Sequence, residues 1–249
     1  MGTRRTRRFW LCWALALAVT AVWTISASPV QTSQPVGGAA HGSYVALTFD
    51  DGPWPGTTNA LLDGLAQRGV KATFFLVGEQ VADRAETVRR MADEGHQIGL
   101  HTWHHVSLRS MTPDRITSQL DQTRAAIREI VGPVDLMLRP PYGFVDDTLR
   151  QWAKAPIICW SLDTEDWKDP TPSRITADIL RQVKDGDIIL MHDIFDTSVT
   201  AALAAVDQLL AQGYRLVTVE ELFAQRGQDP QPGAVYCSLP PAQKEEVEP

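Results

Sequence analysis

Short apolar runs alternate with longer amphipathic stretches from about residue 43 onward. The runs Tyr44–Phe49, Ala72–Val77, Gln97–His101, Asp135–Arg139, Ile157–Leu162, Asp187–His192 and Arg215–Val219 are rich in Val, Ile, Leu and Phe. Most are apolar at successive positions rather than at every second one. That pattern predicts strands covered on both faces, as in a parallel sheet flanked by helices. Helix-like periodicity fills the intervals near 56–68, 79–94, 113–131, 145–153, 173–184 and 198–212, with a last short helix near 219–225. Pro113 and Pro172 mark helix starts; Gly69, Gly95, Gly132 and Gly213 mark helix ends. Seven strand–helix units predict an α/β fold, a complete or incomplete (β/α) barrel, with a doubly wound open sheet as the alternative; periodicity alone does not separate them.

Outside this alternation the chain changes character. Arg4, Arg5, Arg7 and Arg8 precede an uncharged apolar stretch, Phe9 to Ile25, and then Ser26-Ala27-Ser28. A cationic start, an apolar middle and a small-residue exit make residues 1–28 an export signal or an N-terminal membrane anchor. Residues 29–42 read as a Pro/Gly linker, 43–225 as the folded domain, and 226–249 as a tail that is loosely ordered or wraps the surface. The expected location is outside the cytoplasmic membrane, secreted or anchored, at the cell wall.

Composition narrows the field. With 249 residues, 44% hydrophobic and 21% charged, the chain has ample material for a core. A net charge of −7 leaves no basic footprint for nucleic acid. Three cysteines, at 12, 159 and 237, make neither a disulfide framework nor a metal ribbon. In an exported chain Cys159 and Cys237 could pair and pin the tail.

The reactive side chains fall at the carboxyl ends of the predicted strands, where α/β folds collect their active sites. Asp50 and Asp51 end the first, in an Asp-Asp-Gly-Pro turn. His101 and His105 follow the third. On a helical turn, the i, i+4 spacing puts both imidazoles on one face and lets them chelate one metal. A carboxylate from the Asp50–Asp51 turn would complete a three-ligand set with open positions for water and substrate. His104 would point elsewhere, His96 would be a buried hydrogen-bonding residue, and His41 lies in the linker. Arg139-Pro140-Pro141-Tyr142-Gly143 stiffens another strand exit, so Arg139 could clamp a carboxylate and the Tyr142 N–H could face an oxyanion. Asp166 and Trp167 lie after the fifth run; Leu190 and His192 end the sixth. Each segment alone is more often an ordinary turn, a surface histidine run or core material.

Together, in this order, TFDDGP (48–53), HTWHH (101–105), RPPYG (139–143), DTEDW (163–167) and LMHD (190–193) resemble the polysaccharide deacetylases of carbohydrate esterase family 4, the NodB-homology family. The resemblance spans 43–225 and implies a distorted (β/α) barrel of about seven parallel strands that binds one divalent ion, Zn2+ before Co2+ or Mn2+. It implies Asp50 as catalytic base and Asp51, His101 and His105 as metal ligands. Arg139 would orient Asp50, the Tyr142 amide would hold the oxyanion, and His192 would be the catalytic acid tuned by Asp166. Trp167 and Leu190 would shape the acetyl pocket. Val106 departs from the family, which often has proline there. The implied activity is hydrolytic N-deacetylation of an acetylated cell-wall polysaccharide, foremost peptidoglycan N-acetylglucosamine, with release of acetate. Chitin oligosaccharide deacetylase and acetylxylan esterase are the nearer alternatives, and a non-catalytic carbohydrate-binding barrel is the remoter one.

Overall fold

The structure, a computed structural model, describes residues 42–241. The predicted signal or anchor (1–28) and nearly all of the linker lie outside the described residues. Eight strands and eight helices follow the alternation of the sequence. In chain order they are β1 (Tyr44–Asp50), α1 (Pro55–Arg68), β2 (Thr73–Leu76), α2 (Gly78–Asp83), α3 (Ala85–Asp93), β3 (Gln97–Leu100), α4 (Pro113–Val131), α5 (Asp147–Trp152), β4 (Ile157–Ile158), β5 (Leu162–Asp163), α6 (Pro172–Gln182), β6 (Ile188–His192), α7 (Asp196–Ala211), β7 (Arg215–Val217), α8 (Val219–Gln225) and β8 (Val235–Tyr236).

Every ladder between these strands is parallel. β1 is central: it pairs with β2, β6 and the short β7, while β3 extends the sheet beyond β2 and β5 extends it beyond β6. Single bridges at Leu138 carry the wall from β3 to β4. The fifth predicted strand, Ile157–Leu162, is broken in two. Its first half (β4) faces Leu138 and β8; its second half (β5) joins β6. The wall is therefore barrel-like, running on through a segment that changes neighbours at Cys159–Ser161, and this break is its distortion.

Alternation along β1 sorts the core. Val45, Leu47 and Phe49 belong to the larger apolar cluster with helix residues such as Leu61, Ile116 and Val206. Ala46 belongs to a smaller cluster with Phe75, Met137, Ile158, Ile188 and residues of α8. That places Ala46, Thr48 and Asp50 on the barrel's inner face. α8 starts at a capping box between Thr218 and Glu221 and brings Val219, Leu222 and Phe223 into the inner cluster.

Two expectations change in detail. The helix predicted over 79–94 divides at Arg84 into α2 and α3, because Arg84 (φ −134°) leaves the helical region. Of the predicted tail, the described residues 226–241 pack onto the fold: β8 pairs with β4, the Leu239 N–H donates to Gly186 O at 2.8 Å, and Leu239 is buried.

Candidate active site

Asp50 and His192 are register partners on the adjacent parallel strands β1 and β6, so both side chains emerge on one face at the carboxyl end of the barrel. Asp50 is 2% exposed. Its Oδ1 accepts from Arg139 Nη1 at 2.9 Å. Arg139 is itself wholly buried and locked by four other contacts. Its Nη1 also donates to Thr48 Oγ1 (2.6 Å), Nε donates to Ile158 O (3.1 Å) and Nη2 to Cys159 O (2.9 Å), and the guanidinium lies 4.2 Å from the Phe75 ring centre. A fork held by this many partners fixes the orientation of the carboxylate it binds.

The chain then turns. Asp51 has φ 73°, a left-handed value that a strand cannot continue, so consecutive aspartates separate. The turn packs against Asp193: a Cβ placed on Gly52 would lie 2.6 Å from both Asp193 carboxylate oxygens. Asp193 is wholly buried and accepts from the Thr58 hydroxyl, which in turn accepts from the Trp54 N–H at 2.8 Å. Burial first, then the nearby Asp51 and Asp50 charges, push the Asp193 carboxyl up to about 7.

Asp51 Oδ1 lies 3.3 Å from His101 Nε2 and 3.1 Å from His105 Nε2. Among the described residues these three form the one histidine, cysteine and carboxylate cluster able to hold a metal, with ligand atoms within 4.8 Å of one another. The donor set fits a divalent cation on two further counts. Asp51 Oδ1 is buried with no hydrogen-bond partner. His101 Nδ1 sits 2.7 Å from Arg139 O, so the proton belongs on that nitrogen and Nε2 presents its lone pair to the centre. Burial lowers the His105 pKa against the pull of Asp51, which also favours a neutral ligand. The Asp51 carboxyl is held down at about 2: burial opposes this, but the pull of the adjacent His101, with His105 and His192, outweighs it.

The expected helical turn over 101–105 is not there. These residues form an irregular loop with Thr102 (φ 65°) and His105 (φ 50°) left-handed. The two imidazoles converge through that loop, with ring centres 5.0 Å apart, rather than through helical spacing. His104 is exposed and meets Glu79 at 2.8 Å, and His96 is buried with Nδ1 accepting from the Ala72 N–H at 3.1 Å.

Across the cavity, His192 Nδ1 lies 2.8 Å from Asp166 Oδ1, and its backbone N–H donates to Asp166 Oδ2 at 2.9 Å. Burial works against the imidazolium, but the hydrogen bond and charge of Asp166, with Asp50 and Asp51, raise its pKa to about 9. The same pairing holds the Asp166 carboxyl below its ordinary value despite burial.

Asp50, Asp51, His101, His105 and His192 border one cavity of about 390 Å³, together with Tyr142, Trp167 and Leu190; Arg139 and Asp166 stand behind Asp50 and His192 and do not line it. Asp163, the first residue of DTEDW, completes its wall with Trp160 and Phe195, which lie outside the motifs. Tyr142 (φ 65°) sits in the 3-10 turn Pro141–Gly143, largely exposed, with its ring 5.2 Å from that of His105. Gly143 is required beside it: a Cβ there would lie 2.8 Å from Trp160. A larger cavity, about 460 Å³ between α4, α8 and the C-terminal segment, contains none of the motif residues.

A family model described as polysaccharide deacetylase matches residues 37–156. The peptidoglycan-N-acetylmuramic acid deacetylase PdaC of Bacillus subtilis is 42% identical over 178 residues, covering 72% of this chain and 38% of that protein. A peptidoglycan-N-acetylglucosamine deacetylase of Bacillus cereus is 35% identical over 188 residues, covering 72% of this chain and 87% of that protein. Among solved structures, a family 4 acetyl xylan esterase from Clostridium thermocellum, in complex with a cobalt ion, superposes with a TM-score of 0.76 at 35% identity, covering 79% of this chain and 99% of that one. The chain spans 38% or 39% of the length of the first curated relatives it matches. A barrel of the same shape, with sequence identity running through it at this level, makes this chain a member of the polysaccharide deacetylase family.

Proposed function

We propose that this protein is an exported, metal-dependent hydrolase that removes the acetyl group from N-acetylglucosamine in peptidoglycan. One observation carries the reading. A three-ligand cluster stands in a single cavity with an Arg-clamped, non-ligating carboxylate and an Asp-paired histidine. The names of the Bacillus subtilis and Bacillus cereus relatives favour peptidoglycan as the polymer. Export rests on the N-terminal sequence; among the described residues no helix is long and apolar enough to cross a membrane.

Asp51, His101 and His105 would hold the ion, with zinc preferred because amide hydrolysis needs no redox change. A divalent ion bound there supplies Lewis acidity toward the acetamide oxygen and the attacking water. Asp50 accepts the proton of that water, its free oxygen turned to the cavity while Arg139 holds the other. The Tyr142 N–H, set by the rigid Pro140–Pro141 exit, donates to the developing oxyanion. His192 arrives protonated at neutral pH because of Asp166 and delivers its Nε2 proton to the departing amine. Each proton transfer contributes roughly 10²- to 10⁴-fold. Trp167 and Leu190 enclose the acetyl methyl.

Acetate release from purified peptidoglycan, chitin oligosaccharides and acetylxylan tests the reading. Chelator-sensitive, zinc-restored release, fastest on peptidoglycan, is expected. Faster release from chitin oligosaccharides or acetylxylan would reassign the substrate, and no release from any polymer would refute the enzyme.

A further inference from the structure

β4 and β8 run parallel, with Ile157 opposite Val235 and Ile158 opposite Tyr236. The next rung sets Cys159 opposite Cys237. The ladder is intact at that point, since the Cys159 N–H donates to Tyr236 O at 2.8 Å. Neighbouring strands lie roughly 4.7–4.9 Å apart, inside the span of about 4.4–6.8 Å that a disulfide bridges between Cα atoms. Both are free thiols in this structure, Cys159 half-buried and Cys237 exposed, and burial together with the neighbouring Cys237 pushes the Cys159 thiol up to about 11.

We propose that Cys159 and Cys237 are a modification site, joined as a disulfide that staples the C-terminal segment to the strand end that positions Arg139. The proposal goes beyond the deacetylase reading but rests on its export clause, because disulfides persist in oxidising compartments. In the coupling, each cysteine loses its proton and one S–S bond forms. The two electrons pass to an acceptor disulfide, of the class carried by exported thiol oxidoreductases, which is cleaved to two thiols.

The staple sits where the barrel is weakest. β4 and β5 are halves of one broken strand, and residues 233–239 bridge the break. Gly233 N–H donates to Ala155 O (2.9 Å), β8 pairs with β4, and Leu239 N–H donates to Gly186 O beside β6. The carbonyls of Ile158 and Cys159, at the crosslinked end of β4, are the ones that grip the Arg139 guanidinium. Trp160, the next residue, forms part of the cavity wall. The bond would therefore hold the backbone on which the Arg139–Asp50 geometry depends.

The exported protein, purified without reductant, is denatured in alkylating agent and digested. The expected result is one peptide pair joined through Cys159 and Cys237, alkylated only after reduction. A non-chelating phosphine should lower Tm by roughly 10 °C in the wild type, from closure of a loop of about 80 residues. It should leave the Tm of Cys237→Ser and Cys159→Ser unchanged. Both cysteines alkylated without reductant, even after incubation with oxidised glutathione, would overturn the pairing. So would a phosphine-induced fall in Tm of equal size in Cys237→Ser. A chain recovered as a dithiol that closes to the joined peptide with oxidised glutathione would uphold the pairing and overturn export instead.

Discussion

Replacing Asp166 by Asn removes the charge that keeps His192 protonated while leaving the shape almost unchanged. The His192 side chain is 14% exposed, so solvent screens the pair little, and the imidazole pKa stands at about 9 with Asp166 in place. Without that charge, burial opposes protonation with only Asp50 and Asp51 against it, and the pKa falls toward the ordinary value of about 6.5. Near pH 8 the protonated fraction would then drop from about nine-tenths to a few hundredths, roughly thirty-fold in kcat, whereas near pH 6 the loss is less than about two-fold. The assay is acetate release at saturating substrate with zinc supplied, expressed as the variant-to-wild-type ratio at each pH so that other titrating groups cancel. A ratio equally low at both pH values would mean that Asp166 only shapes the site, and an unchanged ratio would remove His192 as the acid. The same shift has a stability sign. A folded pKa raised above the unfolded one stabilises the protein fully below about pH 6.5, and this contribution, about 3 kcal/mol, is lost as pH rises through about 9. Urea midpoints of wild type should therefore fall between pH 7 and pH 10, and those of Asp166→Asn should lack this component.

Arg139→Met strands the buried Asp50 carboxylate; we expect a loss of about 3–5 kcal/mol in urea unfolding together with near-complete loss of turnover, and a variant as stable as wild type would contradict the clamp. Gly52→Ala drives a methyl into the Asp193 carboxylate, so stability should fall by about 1–3 kcal/mol and zinc affinity should weaken as the Asp51 turn shifts. Gly64→Ala, which would press on the Leu203 side chain and on no residue of the cavity, is its control and should leave zinc affinity alone in a titration calorimeter. Asp50→Asn should abolish most acetate release while still binding one zinc; retained release would deny Asp50 its role as base.

The alternation of strands and helices was legible because the central strands β1, β2, β3 and β6 are almost wholly buried and several helices carry a start or stop signal. α1, α4 and α6 begin at Pro55, Pro113 and Pro172, and Gly69 and Gly132 follow the last residues of α1 and α4. The motif residues were legible for the same reason: each lies just past an apolar run, and parallel strands carry all such ends to one side. What escaped the sequence depends on partners distant in the chain. The apolar run Ile157–Leu162 gives no sign that it will divide between two neighbours. The run Asp135–Arg139 contributes a single rung at Leu138, since its neighbours are set by β3 and β4. Histidines at i and i+4 fit a helical turn, yet two left-handed residues bring these together in a loop. Trp160 and Phe195 reach the cavity only through the folded barrel, and the role of Asp193 depends on the close approach of Gly52. The C-terminal segment reads as a polar, proline-rich tail, but Tyr236 packs edge-on against Phe223 at 4.8 Å and Leu239 joins the inner core.

Hydrolysis at this site requires that Asp51, His101 and His105 grip one ion. Zinc titration calorimetry on the chelator-stripped protein, run beside His101→Ala and Asp50→Asn, tests this most directly. One zinc per chain in the wild type and in Asp50→Asn, with none bound by His101→Ala, is the predicted result. Undiminished zinc binding by His101→Ala would contradict it.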